Sequence, residues 1–347
     1  MRSLLAGFFL LWMALSVQAA RIGLLVSGGP ERQEVVAVAR DLASRFRLEG
    51  LPLWVKFYDP GRDGRQALSV IRKARNQEVR LLIGPLNPRA NGEVILAARA
   101  YGIPVILLTG DVDPIKIPGE PFRGVFRTGL SPRMAAKGLL RCIAGQGRHH
   151  LRLLLSLNDE GRLGLRWLKL YAWEYRLRIE KVVWFGPGDT YLYPKFEALL
   201  GADAVIIWCD QASALRVARA LALSGLHLPV FWGPQIASET LLSENSDLWN
   251  QPFPATGLYL PEKRSAFPFP LDLRISALID AFYLAREILL RGHSLSEHTL
   301  ESLGRIDLPG GTYYLSSDDH YGLLPQSVGL FTYGPEGFRP YCPPGHL

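Results

Sequence analysis

The chain has 347 residues, of which 48% are apolar and 20% are charged. This is the composition of an ordinary globular protein, which excludes a disordered or fibrous chain, and the length suits two domains. The formal charge of +7 raises the question of nucleic-acid binding. The sequence carries no Lys/Arg block and no aromatic RNA motif, so exposed, scattered arginines are the better interpretation.

The first 19 residues predict a secretory signal peptide. Arg2 gives a positive start, residues 4–17 are apolar, and Val17-Gln18-Ala19 has the small residues of a cleavage site. The alternative is a membrane anchor, but the apolar run is shorter than the roughly 20 residues that a bilayer requires. We therefore expect cleavage near Ala19 and a secreted protein.

The first half of the chain alternates strands and helices. Residues 21–27, 53–58, 81–83 and 105–108 are predicted strands, and the helices between them include residues 65–74 and a segment around 94–98. Strands that are apolar throughout are typical of a parallel sheet covered by helices. Ligands of such sheets bind outside the carboxyl ends of the strands. The turns at residues 84–91 and 109–114 are therefore the expected ligand site.

The second half repeats this alternation. The predicted helices are residues 131–143, 163–175 and 212–223 with a short one near Phe196, and the predicted strands are residues 150–157, 180–185, 204–209 and 229–232. After Pro254 the order changes to a short strand at 257–260, helices at 271–290 and 294–303, and strands at 312–315 and 328–333.

This order predicts an α/β fold with two three-layer αβα lobes, whose parallel sheets are joined by a hinge of crossing strands. We assign residues 20–127 and 256–311 to lobe 1, and residues 128–255 and 312–347 to lobe 2.

A series of short motifs carries a family resemblance. They are Ile83-Gly84-Pro85, Tyr101-Gly102-Ile103-Pro104-Val105, Phe126-Arg127-Thr128, Asn158-Asp159 with Gly164, Phe231-Trp232-Gly233-Pro234 and Asp280-Ala281. In this order they resemble a type I periplasmic binding protein of the leucine/isoleucine/valine-binding kind, the receptor of an ABC importer. The resemblance implies a monomer without catalytic activity, cofactor, metal or nucleic acid, which binds a small molecule in the cleft between its lobes. The implied partner is an ABC permease complex in the inner membrane.

A fainter similarity is to the subgroup associated with pyrroloquinoline-quinone-dependent alcohol oxidation systems.

The ligand-binding positions depart from the family pattern. The serine-rich turn of the family reads Asn87-Pro88-Arg89-Ala90, Val112 replaces a Thr, Leu163 replaces a Tyr, and Gln235 replaces an acidic residue. Gln235 offers a neutral amide to a ligand ammonium, whereas Arg89 offers a planar fork to a carboxylate. We therefore expect an organic acid or a quinone-like or aromatic compound rather than a common α-amino acid. In the alternative, Arg89 points to solvent and Asp111 holds the ammonium.

The candidate site residues come from five segments of the chain. They are Ser27 and Gly28; Asn87, Arg89 and Ala90; Thr109, Gly110 and Asp111; Arg162; and Trp232 with Gln235. Trp232 follows an apolar run at a strand end, so we expect it to stack on a planar ligand.

Two other functions remain open. Ser27-Gly28-Gly29-Pro30 could cradle a phosphate in a nucleotide-binding enzyme, although the third glycine of that motif is absent. A ligand-sensing receptor for a membrane signalling partner would share every feature of the transport interpretation.

The histidines and cysteines indicate no further chemistry. His149, His150 and His320 lack metal-ligand spacing, and a turn is the better interpretation of residues 318–322 than an acid/base cluster. An oxidising compartment permits one disulfide among Cys142, Cys209 and Cys342. If one forms, Cys142 with Cys342 is the expected pair, and Cys209 is expected to be a buried small hydrophobe.

Overall fold

The structure is a computed structural model that describes residues 20–29, 31–110 and 123–345. These residues form two compact units. Unit 1 contains residues 20–107, 123–126 and 282–300, and unit 2 contains residues 108–110, 127–281 and 301–345. The predicted signal peptide, at residues 1–19, lies outside the described residues.

Unit 1 is built on one sheet with the strand order β2-β1-β3-β4-β5. Its elements in chain order are β1 (Ala20–Leu25), α1 (Glu31–Leu48), β2 (Leu53–Tyr58), α2 (Ala67–Asn76), β3 (Leu81–Ile83), α3 (Asn91–Tyr101), β4 (Val105–Leu107) and β5 (Val125–Arg127), whose last residue belongs to unit 2. Strand β1 is parallel to β2 and β3, and β3 is parallel to β4. The parallel sheet predicted from the uniformly apolar strands is therefore confirmed.

The helical periodicity of α3 explains how the core of unit 1 is formed. Val94, Ala97 and Ala98 are buried in the same cluster as Leu82 and Val105 of the adjoining strands. The helix ends at Gly102, whose φ of 60° lies in the left-handed region that glycine adopts without a steric penalty. The chain can therefore turn sharply from α3 into β4.

Unit 2 contains a second parallel sheet with the strand order β7-β6-β8-β9. The remaining elements in chain order are α4 (Pro132–Gly145), β6 (His150–Ser156), α5 (Asp159–Glu174), β7 (Arg178–Phe185), α6 (Tyr193–Glu197), β8 (Ala204–Trp208), α7 (Gln211–Ser224), β9 (Val230–Trp232), α8 (Glu239–Glu244), β10 (Phe253–Thr256), α9 (Pro261–Arg264), α10 (Leu273–Leu290), α11 (Glu297–Glu301), β11 (Gly304–Leu308), β12 (Gly311–Leu315), β13 (Val328–Gly334) and β14 (Gly337–Cys342). Helix α10 crosses from unit 2 into unit 1 after Ala281.

Antiparallel strands complete unit 2, and the sequence predicted them only in part. Strands β10, β13 and β14 form one sheet, and β11 and β12 form a hairpin. The strand predicted at residues 257–260 is wrong, because residues 257–259 form a 3₁₀ turn after β10. The amide of Gly257 donates to the carbonyl of Gly310 at 2.8 Å, and this close backbone approach suits a glycine turn better than a strand.

The predicted fold class is confirmed, since both units combine a parallel sheet with interleaved helices. The contacts group residues 256–281 and 301–311 with unit 2, whereas the sequence assigned residues 256–311 to lobe 1; the lobe boundaries stay a prediction. In the described part of the chain, none of the helices has the length and apolar content to span a membrane.

A disulfide connects Cys142 in α4 with Cys342 at the end of β14, with 6.1 Å between their Cα atoms. This is the pair expected from the sequence, and the bond ties together residues 200 positions apart. Cys209 is a free thiol and is buried, as expected. Its burial raises the pKa of the thiol well above its usual range, so Cys209 is an unreactive packing residue.

Candidate functional site

The first turn at the carboxyl edge of unit 1 follows β1. The hydroxyl of Ser27 donates to the carbonyl of Gly61 at 2.9 Å and so ties this turn to the loop after β2. Gly28 is exposed, and a Cβ placed on it would meet nothing within 4 Å. Ser27 therefore fixes the turn, while the backbone of Gly28 is open to solvent.

The turn after β3 places Arg89 at the surface. Gly84 has a φ of 112°, and a Cβ on it would lie 2.7 Å from the carbonyl oxygen of Leu25, so only glycine fits. Asn87 Oδ1 accepts the amide of Arg89 at 3.0 Å and starts the 3₁₀ turn at residues 88–90. Ala90 is buried and Arg89 is exposed. Among the described residues, no carboxylate lies within ion-pair distance of the Arg89 guanidinium.

The turn after β4 is held by a buried arginine. Thr109 and Gly110 are half-buried, and the carbonyl of Gly110 accepts a hydrogen bond from Arg127 Nη1 at 2.6 Å. Arg127 itself is 3% exposed, so its charge is compensated by such contacts rather than by water. Asp111, the third candidate of this turn, lies outside the described residues.

At the carboxyl edge of unit 2, a polar network links the ends of β6 and β8. Asn158 caps α5, accepting the amide of Gly161 at 3.1 Å, and donates through Nδ2 to Asp210 Oδ2 at 2.8 Å. Asp210 caps α7 by accepting the amide of Ser213 at 2.9 Å. Partial burial alone would raise the pKa of Asp210, but the hydrogen bonds from Ser213 and Asn158 outweigh burial and lower it. Asp210 is therefore a structural carboxylate that stays ionised.

Gln235 and Glu160 form an acid–amide pair at the same edge of unit 2. Gln235 lies in the 3₁₀ turn after β9, and its Nε2 donates to Glu160 Oε2 at 2.7 Å. The Oε1 atom of Gln235 is buried and has no hydrogen-bond partner among the described residues. A buried amide oxygen without a donor is costly. A ligand that supplies an N–H or O–H group would remove that cost.

The sequence interpretation missed Glu160. From the sequence, Gln235 is a neutral replacement for an acidic residue, but the structure places a carboxylate directly against its amide. Glu160 belongs to the first turn of α5, next to the Asn158 cap. Its signal in the sequence was an acidic residue just after the carboxyl end of a strand, where ligand contacts are expected.

Trp232 does not have the environment expected of it. Its side chain is 1% exposed, its Nε1 donates to Gln251 Oε1 at 3.3 Å, and its ring meets Trp249 edge-on at 5.3 Å. The expectation that Trp232 stacks on a planar ligand is therefore wrong, because later residues of unit 2 cover the ring. Its role is core packing.

Two further residues shape this edge without exposing side chains to it. Trp208 at the end of β8 is fully buried, and a Cβ on Gly164 of α5 would lie 2.5 Å from its ring. Helix α5 can therefore pack flat on the indole only because residue 164 is glycine.

Arg162 is the remaining candidate from α5. Its side chain is 68% exposed, with Nη1 3.7 Å from Asp159 Oδ1. An ion pair so exposed contributes little to stability. Arg162 is thus accessible and is not immobilised by the fold.

The alternative catalytic and metal sites have structural roles. Asp319 Oδ1 accepts the amides of Tyr321 at 2.9 Å and Gly322 at 2.8 Å, which confirms the predicted turn. The amides of His149 and His150 donate to Asp203 Oδ2, and both histidines are exposed. Within the described ranges, no group of three or more His, Cys, Asp or Glu residues is placed to hold a metal ion.

No protein-family model and no curated protein matches this sequence. Solved structures do match its fold. An ABC transporter substrate-binding protein from Sphaerobacter thermophilus is 14% identical with a TM-score of 0.79, over 94% of this chain and 97% of that one. The branched-chain amino acid transporter substrate-binding protein LivJ from Streptococcus pneumoniae, in complex with isoleucine, is 15% identical with a TM-score of 0.69, over 94% and 100%.

A third match is an ABC transporter substrate-binding protein from Desulfitobacterium hafniense in complex with Leu, 16% identical with a TM-score of 0.71, over 93% and 100% of the two chains. The coverage shows that the whole described chain has the type I periplasmic binding protein fold. Identity this low shows the fold alone, so the function has to be argued from the residues.

Proposed function

We propose that this protein is the extracytoplasmic solute-binding component of an ABC-type importer. The observation that carries the proposal is the acid–amide pair at the carboxyl edge of unit 2, where Gln235 Oε1 is buried without a partner beside Glu160. Ligands of parallel α/β sheets bind at this edge. The matched structures are substrate-binding proteins and extracellular ligand-binding receptors, which supports a binding protein rather than an enzyme.

The charges at the two carboxyl edges favour a small organic acid that also carries a hydrogen-bond donor. Arg89 presents an exposed guanidinium without a carboxylate partner in the described ranges, and a planar guanidinium binds a carboxylate in two parallel hydrogen bonds. Gln235 Oε1 and the Glu160 carboxylate accept a hydroxyl or amine. We therefore propose a hydroxylated or aromatic acid, including a quinone-like one, rather than leucine, isoleucine or valine.

The transport interpretation also assigns a route and a partner. The signal peptide predicted at residues 1–19 would send the chain to the periplasm. There a monomer would load its ligand, close around it and present it to an ABC permease complex in the inner membrane. The binding step requires no bond chemistry, cofactor or nucleic acid.

Isothermal titration calorimetry with a panel of organic acids and branched-chain amino acids tests the proposal. Arg89→Ala removes a charge-assisted contact and should weaken binding of the best acid by about 10- to 100-fold. Arg72→Ala, an exposed arginine of α2, is the matched control and should bind as the wild type does. Tight leucine or valine binding that Arg89→Ala leaves unchanged would contradict the assignment of ligand class.

Gln235→Leu tests whether the unit 2 edge contacts the hydrogen-bond donor of the ligand. The substitution keeps the side chain near its size but removes the oxygen that lacks a partner together with the Nε2 group that donates to Glu160, so acids with a hydroxyl or amine should lose affinity. The same acid without its donor group should bind both proteins equally. If both acids weaken in parallel, Gln235 shapes the site rather than contacting the donor.

A further inference from the structure

The outer surface of α5 carries an exposed stripe of cations and large apolar side chains. Arg162, Arg166, Lys169 and Trp173 follow one another at intervals of three or four residues, which places them on one face of the helix. Trp173 is 86% exposed and the neighbouring Leu170 is 56% exposed. Exposed side chains of this size, grouped rather than scattered, mark an interaction surface.

The edge strand β7 extends the stripe. β7 is the outermost strand of the unit 2 sheet, and Arg178 and Lys181 on it are exposed. A surface groove of about 440 Å³ runs along α5 and β7, and Lys169, Trp173, Ile179 and Lys181 are among its lining residues. We call this surface, residues 162–182, the α5–β7 face.

The α5–β7 face keeps its positive charge because its acidic residues are already paired. Glu174 lies 2.9 Å from Lys137 Nζ, and Glu180 lies 2.8 Å from His150 Nδ1 and 3.5 Å from an Arg152 nitrogen. Five cations of the face have no carboxylate of the described residues within ion-pair distance. These cations are Arg166, Lys169, Arg176, Arg178 and Lys181.

We propose that the α5–β7 face docks on an anionic lipid bilayer, with Trp173 and Leu170 entering the headgroup region between the flanking lysines and arginines. Cations attract such a surface, and an indole prefers its interface because one end of the ring is apolar and the other is polar. An acidic protein is the competing occupant. Lysine is depleted at protein interfaces, and Lys169 and Lys181 both line the groove, so the bilayer is favoured.

Docking on a membrane determines the location of the protein and is separate from the binding of its ligand. Attraction to the membrane would concentrate the protein on the surface that holds its proposed permease. The face lies wholly within unit 2, and it uses none of the acid–amide pair at the carboxyl edge.

Vesicle co-sedimentation at low ionic strength tests the charge component. The purified protein should bind vesicles of phosphatidylglycerol and phosphatidylcholine but not vesicles of phosphatidylcholine alone. Lys169→Gln/Lys181→Gln should weaken binding roughly 25-fold, about fivefold for each lysine. The control Arg72→Gln/Lys73→Gln, on exposed residues of α2, changes net charge equally and should alter binding less than about twofold.

Two results would overturn the charge component. One is a wild-type protein that fails to bind the anionic vesicles. The other is an equal loss of binding in both double variants, which would show a response to net charge without a defined face. Melting temperatures should match the wild type in all variants, because the four side chains are exposed.

Quenching of tryptophan fluorescence by brominated lipids tests insertion. The wild type should be quenched on anionic vesicles, and Trp173→Phe should lose that quenching because the other described tryptophans are more buried. Equal quenching in Trp173→Phe would show that Trp173 does not enter the bilayer. Binding to a polyglutamate peptide but not to vesicles would assign the face to an acidic protein instead.

Discussion

The carboxyl edges of the two parallel sheets are built in opposite ways. In unit 1, Gly28 and Arg89 are open to solvent, and a few turn hydrogen bonds hold the backbone. In unit 2, Asn158 and Asp210 bond to each other and cap α5 and α7, and Gln235 donates to Glu160. Among the described residues, ten of the eleven buried polar or charged residues also lie in unit 2.

This difference predicts that stability and ligand binding respond to substitutions in different units. The exposed side chain of Arg89 at the unit 1 edge can be changed without breaking an internal contact, so its substitution should affect binding alone. Side chains at the unit 2 edge belong to the folded core, so their substitution should affect stability first.

The largest expected effect is at a glycine in the first turn of a helix. A Cβ on Gly161 in α5 would lie 1.9 Å from the carbonyl oxygen of Ser156, so Gly161→Ala should destabilise unit 2 by about 4 kcal/mol or more. In unit 1, Gly92 occupies the first turn of α3, and a Cβ there would meet nothing within 4 Å. Gly92→Ala should stabilise the protein by about 0.5 to 1 kcal/mol. Urea unfolding measures the free energy of unfolding of both variants. Similar changes in Gly161→Ala and Gly92→Ala would contradict the predicted difference between the two glycines.

The next effect concerns the disulfide of unit 2. Cys142→Ala/Cys342→Ala releases β14 from α4 and should lower the free energy of unfolding by about 3 kcal/mol, since the closed loop is long. Reductant should lower the melting temperature of the wild type and leave that of the double variant unchanged. A double variant as stable as the wild type would show that packing alone holds the C-terminal strand.

A buried carboxylate in unit 2 makes stability depend on pH. Burial raises the pKa of Asp280 to about 6, against hydrogen bonds from Tyr313 and Gly310 that lower it. Because the folded pKa is raised, this group's contribution is complete below about pH 4 and is lost as the pH rises through about 6, a change of about 3 kcal/mol.

Asp280→Asn should therefore flatten the decline in stability between these pH values, as measured by urea unfolding at each pH. Tyr313→Phe removes one hydrogen bond, at 2.7 Å, to the ionised carboxylate, so it should shift the decline to higher pH. If the free energy of unfolding of Asp280→Asn still declines with pH, another titratable group causes the decline.

The smallest expected effect on stability is at Arg89. Its side chain is exposed, so Arg89→Ala should change the free energy of unfolding by less than about 0.5 kcal/mol. Asp210→Ala is the comparison in unit 2 and should cost about 2 kcal/mol, because it removes a helix cap and the acceptor of the hydrogen bond from Asn158 Nδ2. Equal costs in the same unfolding assay would contradict the separation of recognition from stability.

The parallel sheets could be read from local sequence, because the strands at residues 81–83 and 105–107 are apolar runs bounded by turn residues. The antiparallel strands β10 and β14 were missed. Pro254 and Pro340 interrupt their patterns. The partner of β10, strand β13, also lies far along the chain, whereas β14 follows β13 directly in a hairpin.

The sequence predicted the positions of the turns that form the candidate site, but it did not predict the contacts between their side chains. The sequence located Gly84, Asn87 and Gln235 at strand ends. The pairing of Gln235 with Glu160 joins residues 75 positions apart, and nothing local specifies it. The burial of Trp232 depends on Trp249 and Gln251, which a pattern at the end of β9 does not reveal.

Native mass spectrometry of the protein purified from its own cells, followed by calorimetry with the compound it retains, tests the proposed ligand class. We predict one small organic acid bound per chain, which rebinds the emptied wild type and binds Arg89→Ala at least about tenfold more weakly. Retention of leucine, isoleucine or valine, bound equally well by the wild type and by Arg89→Ala, would contradict the account.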